Sequence, residues 1–398
     1  MLLRKYKDFC QLFLGRLISN CGDSIYTIVL SWYVLEMTNS AWYVGVLNFL
    51  IFIPNTFSFL FGKKIDALPK KRLLIFLELA QLVAVVGIIL GIILNSINTN
   101  LSLILIFTCV FLASTVGLNT YTVQDALVPK IVPSKDLAKA EMYMSVAYNG
   151  TEYVFTAISG FLLSVISYIP LLLLDVLTFL ASILLFRKIE FEETIKKTDE
   201  STDFLSGLRF IWQNKVVLLI TLGGAAANFL FAGLNVYQLL IAKDVGNAAF
   251  YGFLVSASAI GTLLGTTVVA NFVLQKMSVG QAFWLATVLF GLGIGLTSLA
   301  QNSFVLLGIW FISCLFLGIT HVAQKPILQT EIPDDCLGEV FSAFYTVTIP
   351  TLAVGSLVFG FVAKFLSWRL FVLVFAISFL MIGFLYFSNK KLRQYDIS

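Results

Sequence analysis

Runs of about twenty mostly apolar residues recur along the whole chain, and no other feature constrains its fold so strongly. They fall near residues 9–35, 41–61, 73–94, 101–123, 137–166, 170–187, 215–242, 248–274, 279–300, 303–329, 338–365 and 368–388. Each is long enough to cross a bilayer as a helix, which satisfies its own backbone hydrogen bonds in hydrocarbon. Twelve such runs in 398 residues predict an all-α membrane protein of twelve transmembrane helices. Charge is scarce enough to agree. Asp, Glu, Lys and Arg make up 12% of the chain, against about 25% in soluble domains. The first run continues directly into the multi-span pattern, so it reads as a retained helix and not as a cleaved signal.

Lys and Arg set the orientation, because they accumulate in cytoplasmic loops. Arg4, Lys5 and Lys7 precede the first run. Lys63, Lys64, Lys70, Lys71 and Arg72 lie after the second, and Lys130, Lys135 and Lys139 after the fourth. Arg187, Lys188, Lys196, Lys197, Arg209 and Lys215 follow the sixth, and Lys390, Lys391 and Arg393 the last. The alternate loops 36–41, 95–100, 167–170 and 300–303 have no Lys or Arg; Lys243, Lys364 and Arg369 are the exceptions on that side. Both termini are therefore expected in the cytoplasm, with the chain in a bacterial inner membrane.

The only extended polar stretch, 188–214, divides the chain into a half at 1–187, a linker with an amphipathic segment, and a half at 215–398. An internal repeat supports the division. At an offset of 200 residues, Pro133, Leu137, Thr151, Val154, Gly160, Phe161 and Ser167 match Pro333, Leu337, Thr351, Val354, Gly360, Phe361 and Ser367. Parallel six-helix repeats of this kind build one large class of transporters.

Four stretches carry a more specific resemblance: "GKKIDALPKKR" (62–72), "LISNCGDS" (17–24), "LVPKIVPSKDLAKA" (127–140) and "GLRFIWQNK" (207–215). In this order and placement the chain resembles the major facilitator superfamily, in the drug-proton antiporter branch that includes macrolide-efflux and siderophore-export proteins. The resemblance spans nearly the whole chain. It implies two six-helix pseudo-repeat halves, a small-molecule substrate, a proton as coupling ion and a monomer. It also implies a gating loop at Gly62, Asp66, Lys70, Lys71 and Arg72, with Pro69 where the family usually has Gly. The sequence departs from the family in its fourth helix, where 101–123 lacks the usual Arg, and at 155–160, which has Gly160 but no Gly-Pro.

Ionisable groups at membrane depth are costly and mark function. Arg16, Asn20, Asp23, Thr27 and Ser31 recur at helical spacing and form one polar stripe. Glu141, Ser145, Tyr148, Glu152, Thr156 and Ser159 form another in the fifth helix. Asp23 and Glu152 fall near mid-membrane. A carboxyl in low dielectric can load and release protons in a working range, which makes these two the candidate proton carriers. Asp23 equally suits a structural pair with Arg16. His321, beside Thr320 and Gln324, suits proton transfer or a hydrogen-bonded packing role. Glu78 and Glu141 are expected at helix ends, capping or pairing with loop cations, and Asp175 in a solvated outer position. Neutral polar residues dominate the second half. Asn228, Asn235 and Gln238, with Asn20, Thr27, Tyr148, Asn149 and Gln324, are expected to line a cavity for an amphipathic ligand.

Several function classes are excluded or disfavoured. No Walker loop or dinucleotide fingerprint is present, and no nucleophile–base pair stands out, so an enzyme is not expected. His321 is the single histidine and the five cysteines have no paired spacing, which argues against a metal site or cofactor. The cysteines read as packing residues. The basic residues sit in short loops, which leaves no nucleic-acid patch, and the partners expected are substrate, proton and lipid. The leading expectation is a secondary exporter working by alternating access. The alternatives are an importer, facilitator or lysolipid flippase on the same fold, and a sensor or scaffold without a transport cycle.

Overall fold

A computed structural model describes residues 2–57, 68–191, 204–245, 248–333 and 336–396. Nearly all of these residues are helical. The first half contains α1 (Lys7–Thr38), α2 (Ala41–Thr56), α3 (Lys70–Leu94), α4 (Thr99–Ile131), α5 (Ser134–Ser145), α6 (Thr151–Val165) and α7 (Tyr168–Arg187). The amphipathic run after the polar stretch forms α8 (Phe204–Gln213). Then follow α9 (Lys215–Val245), α10 (Ala248–Leu264), α11 (Ala270–Leu274), α12 (Val279–Leu296), α13 (Ser303–Glu331), α14 (Leu337–Thr348), α15 (Pro350–Val362) and α16 (Trp368–Ser388). Short helical turns, Leu2–Lys5 and Lys390–Arg393, stand near the two ends.

Nine helices among the described residues are long and apolar enough to cross a membrane. The 32-residue α1 has the length but carries the polar stripe, and α2 is a shorter apolar helix. Exposed apolar side chains run along single faces. On α3 they are Leu79, Val83, Val86, Leu90 and Ile93, and on α16 Leu373, Ile377, Met381 and Phe384. Such stripes suit lipid as the solvent and would be unstable against water.

The turns follow from local chemistry. Asn39 adopts φ 54° between α1 and α2, a left-handed conformation that Asn tolerates. Pro133 precedes α5, where its missing N–H costs no helical bond. The repeat at an offset of 200 has a structural counterpart here. α4 ends at Ile131 and α13 at Glu331, and Val132 and Ile332 are both extended. The expected fifth span is not one regular helix. A π-helical turn, Val146–Gly150, joins α5 to α6, and another, Gly265–Val269, joins α10 to α11. Sequence periodicity does not register such one-residue insertions.

The chain forms two compact units. The first comprises residues 1–37 and 50–199, the second 38–49 and 200–398. The first unit packs Phe9, Leu12 and Phe13 of α1 against Leu74, Leu77, Val123, Leu127, Met144 and Phe186. Outside the helical spans, Lys5 donates to Asp136 at 2.7 Å, and this bond raises the ammonium pKa above its ordinary value. The second unit is built on aromatic contact. Phe231, Phe290, Phe375 and Phe379 interlock with ring centroids 4.4–6.2 Å apart. Gly318 lets α13 approach α10 closely, since a Cβ there would collide with the backbone of Thr262 and Thr266.

Candidate functional site

In the polar stripe of α1, Arg16, Asn20 and Ser31 are buried, Asp23 is partly exposed and Thr27 is exposed. Arg16 is completely buried. Its Nη2 donates to Asn20 Oδ1 at 2.9 Å, and its guanidinium lies 3.5 Å from the Tyr121 ring centroid and 5.1 Å from that of Tyr148. Arg16 Nη1 is 4.0 Å from Asp23 Oδ2, longer than a hydrogen bond. The charge is thus held by the Asn20 amide and the Tyr121 ring more closely than by the carboxylate. Cation–π contact with desolvated tyrosines is worth up to about 2 kcal/mol.

Asn20 ties α1 to the π-helical turn. Its Nδ2 donates to the carbonyls of Ala147 (3.2 Å) and Tyr148 (2.8 Å) and to Thr151 Oγ1 (3.3 Å). A π turn disturbs the regular carbonyl pairing of a helix, and the Asn20 amide satisfies the carbonyls it disturbs. Tyr121 donates back to Asn20 Oδ1 at 3.1 Å. Tyr148 donates to Asp125 Oδ1 at 2.8 Å. Glu152 stands in the first turn of α6 and is exposed. The Asn149 side chain lies outside the described ones.

Two acids occupy places other than those expected. Glu78 does not cap a helix or pair with loop cations. It is completely buried and accepts from Ser182 at 2.6 Å and from Ser19 at 3.3 Å. Asp175 is not solvated but 0% exposed. It packs against Gly22, where any Cβ would collide with Asp175 Oδ1 and Thr178 Oγ1. The glycine in α1 makes room for the acid in α7, a fit invisible to helix-end counting.

Asp23 and Asp175 line one cavity of about 220 Å³ in the first unit, together with Tyr26, Thr27, Asn55, Gln81, Tyr121 and Phe179. The second unit has its own cavity, of about 250 Å³. Its polar lining is neutral or imidazole: Asn228, Thr287, Thr320, His321 and Gln324. Phe231, Phe283, Phe344, Phe379 and Tyr386 supply the walls. Asn228 Nδ2 donates to the Thr348 carbonyl at 3.0 Å.

The expected site residues therefore divide. Asp23 and Thr27 come together at one cavity with Arg16, Asn20 and Tyr148 beside it, and Asn228, His321 and Gln324 come together at the other. Asn235 is exposed and does not line that second cavity. Gln238 is committed to Ser258, which also accepts from Trp310. In the gating loop, Gly62 and Asp66 lie outside the described residues. Lys70 is buried with Nζ 3.3 Å from the Leu68 carbonyl, Lys71 is half-buried and Arg72 is exposed. All five cysteines are free thiols. Among the described residues, no group of three or more His, Cys, Asp or Glu is placed to hold a metal ion.

Comparison with known proteins agrees with this architecture. Residues 3–398 match the family described as "Transmembrane secretion effector". Macrolide efflux protein A of Streptococcus pyogenes is 24% identical over 360 residues, covering 85% of this chain and 86% of that protein. The uncharacterised MFS-type transporter YfiS of Bacillus subtilis is 21% identical over 415 residues, covering 99% and 95%. A crystal structure of a bacterial homologue of the iron transporter ferroportin, in an inward-facing state, superposes with a TM-score of 0.76 at 17% identity. It covers 98% of this chain and 99% of that one.

Proposed function

The chain belongs to the transmembrane secretion effector family of major facilitator transporters, a family of multi-pass membrane carriers and not of enzymes, and on that premise we propose that it exports a small amphipathic molecule in exchange for protons. In this reading twelve spans form halves at 1–187 and 215–398, joined by 188–214, with both termini in the cytoplasm. The positive loops support that orientation. Export is supported by the family's description and by the efflux activity in the name of the streptococcal relative.

The observation that carries the proton-coupling reading is the environment of Asp23. Its carboxyl lines a cavity and stands 4.0 Å from a buried guanidinium whose direct hydrogen bond goes to Asn20. An acid so placed is stabilised by Arg16 when ionised, yet is not locked by a short ion pair. It can exchange a proton with the cavity as the protein cycles between access states. Glu152, accessible beside the π-helical turn, is the second carrier. The basic cluster at Lys70, Lys71 and Arg72, with Gly62 and Asp66, gates the cycle. In the second unit's cavity Asn228 and Gln324 offer polar contacts to substrate, the aromatic walls offer apolar surface, and His321 is a further candidate for proton transfer.

The reading is tested by counterflow in proteoliposomes with an imposed pH gradient. Uptake of an exported compound is expected to be driven by the gradient in the wild type. Asp23→Asn and Glu152→Gln are each expected to retain exchange at equal pH but to lose the gradient-driven component. Gradient-driven transport that persists in both variants would remove the two acids from the mechanism.

A further inference from the structure

We propose that the outer face of α8, formed by Leu205, Arg209 and Trp212, docks the headgroup and upper acyl chains of an anionic phospholipid, and that the docked lipid steadies α14 at the wall of the second unit's cavity. This surface lies outside both cavities, and its occupancy does not depend on which molecule is transported or on proton exchange.

The helix has two faces of unlike chemistry. Gly207 and Ile211, one turn apart, are buried. Leu205, Arg209 and Trp212, spaced by four and then three residues, share the opposite face. Leu205 is 69% and Trp212 70% exposed, and Arg209 is exposed between them. Among the described residues no carboxylate pairs with Arg209. Large apolar side chains flanking a cation are unfavourable in water and suit the boundary between hydrocarbon and headgroups. There Leu205 enters the acyl region, the Trp212 indole sits at headgroup level, and the Arg209 guanidinium reaches a phosphate with two parallel hydrogen bonds.

Chain position puts this face at the bilayer surface. α8 ends at Gln213 and the span α9 begins at Lys215, with Asn214 between them. A helix of 10 residues is about 15 Å long, so all of α8 stays close to the start of the span. Asn214 fixes the junction. Its Oδ1 accepts from the Val216 and Val217 amides at 3.0 and 3.2 Å, and its Nδ2 donates to Glu331 at 3.1 Å. Residues 204–215 carry Arg209 and Lys215, both exposed, and no Asp or Glu. That charge selects the occupant. An anionic headgroup gains from both cations, a zwitterionic one gains little, and a second copy of the chain would set like charges against each other.

The buried face ties the lipid to the cavity. A Cβ at Gly207 would collide with the Glu339 carbonyl and stand 3.1 Å from the Ala343 side chain, so α8 and α14 meet backbone to backbone. The Ser206 hydroxyl donates to the Glu339 carboxylate beside this contact. One turn further on, α14 contributes Phe344, Tyr345 and Thr348 to the cavity wall. A lipid that holds the outside of α8 therefore stabilises the arrangement of α14 that lines the cavity, as any ligand stabilises the state it binds.

The test uses purified full-length protein in bilayers of phosphatidylcholine and phosphatidylglycerol, with one lipid or the other brominated on its acyl chains. Subtracting the emission of Trp212→Phe from that of the wild type isolates Trp212 from the other five tryptophans. At equal mole fraction, phosphatidylglycerol is expected to quench Trp212 as a lipid enriched roughly fivefold over phosphatidylcholine. Arg209→Gln should remove most of that preference, Arg209→Lys should keep most of it, and high salt should weaken it. Amide exchange across 337–348 should slow with phosphatidylglycerol in the wild type and not in Arg209→Gln. Both positions are exposed, so these variants leave the core intact. Equal quenching by the two lipids in the wild type, or quenching by neither, would overturn the docking site. So would an undiminished preference in Arg209→Gln. Exchange in α14 that ignores phosphatidylglycerol while Trp212 is quenched would overturn the link to the cavity. The same slowing produced by inorganic phosphate in pure phosphatidylcholine would replace the lipid by a free anion and overturn the assignment as well.

Discussion

The two units solve the same problem, a cavity inside a membrane protein, with opposite chemistry. The first is wired by charge. Arg16 is held by Asn20 and Tyr121 and Glu78 by Ser19 and Ser182, with Asp23 4.0 Å from Arg16 and Asp175 buried against Gly22. The second is held by aromatic interlock and close helix contact, and its cavity presents amide, hydroxyl and imidazole groups. A charged network is costly to bury and fails sharply when one partner is lost. An apolar core fails in proportion to the volume removed. The contrast teaches where the proposed coupling is to be sought: the first unit carries the buried acids, while the second offers one imidazole, His321, among neutral groups.

Arg16→Met tests this contrast hardest. Removing the guanidinium leaves the buried Glu78 and the partly exposed Asp23 without their counter-charge, and a loss of roughly 3–5 kcal/mol is expected. Thermal unfolding in detergent checks it, and Asp23→Asn in the same chain should restore part of the loss. A fully additive pair would mean that the two charges do not interact. Gly318→Ala probes the other mode in the second unit. The added methyl meets backbone atoms of α10 and should cost about 1–3 kcal/mol, with no change in pH dependence of transport. Ser258→Ala should cost about 1–3 kcal/mol, because the Gln238 amide and the Trp310 indole would both lose their acceptor. Lys391→Met removes the exposed end of a bridge to Glu331, whose largely buried carboxyl still accepts from Asn214, and should cost less than the loss of Arg16. If Lys391→Met proved as damaging as Arg16→Met, the distinction between a wired interior and a screened rim would collapse.

Much of this was legible in the residues, and the parts that were not share a physical reason. The α1 stripe could be read because helical spacing puts Arg16, Asn20 and Asp23 on one face whatever surrounds them. Placing Asp175 and Glu78 required knowing what packs against them. Asp175 is buried because Gly22 of another helix leaves room for it, and Glu78 because Ser19 and Ser182 converge on it. Distance from a helix end carries neither fact. Asn228 and Asn235 share a face of α9, yet they are seven residues, or about 10 Å, apart along the axis, and only Asn228 lines the cavity. The π-helical turn at Val146–Gly150 leaves the apolar pattern of its span intact, so nothing in that pattern marks the carbonyls that accept from the Asn20 amide.

The central claim is that Asp23 moves a proton as substrate moves. The direct measurement is the number of protons released per substrate translocated, read with an entrapped pH dye in proteoliposomes holding the wild type or Asp23→Asn. The account predicts a fixed, non-zero ratio in the wild type and a ratio that falls in the variant while substrate still exchanges. The same ratio in both proteins, or none in either, would contradict it.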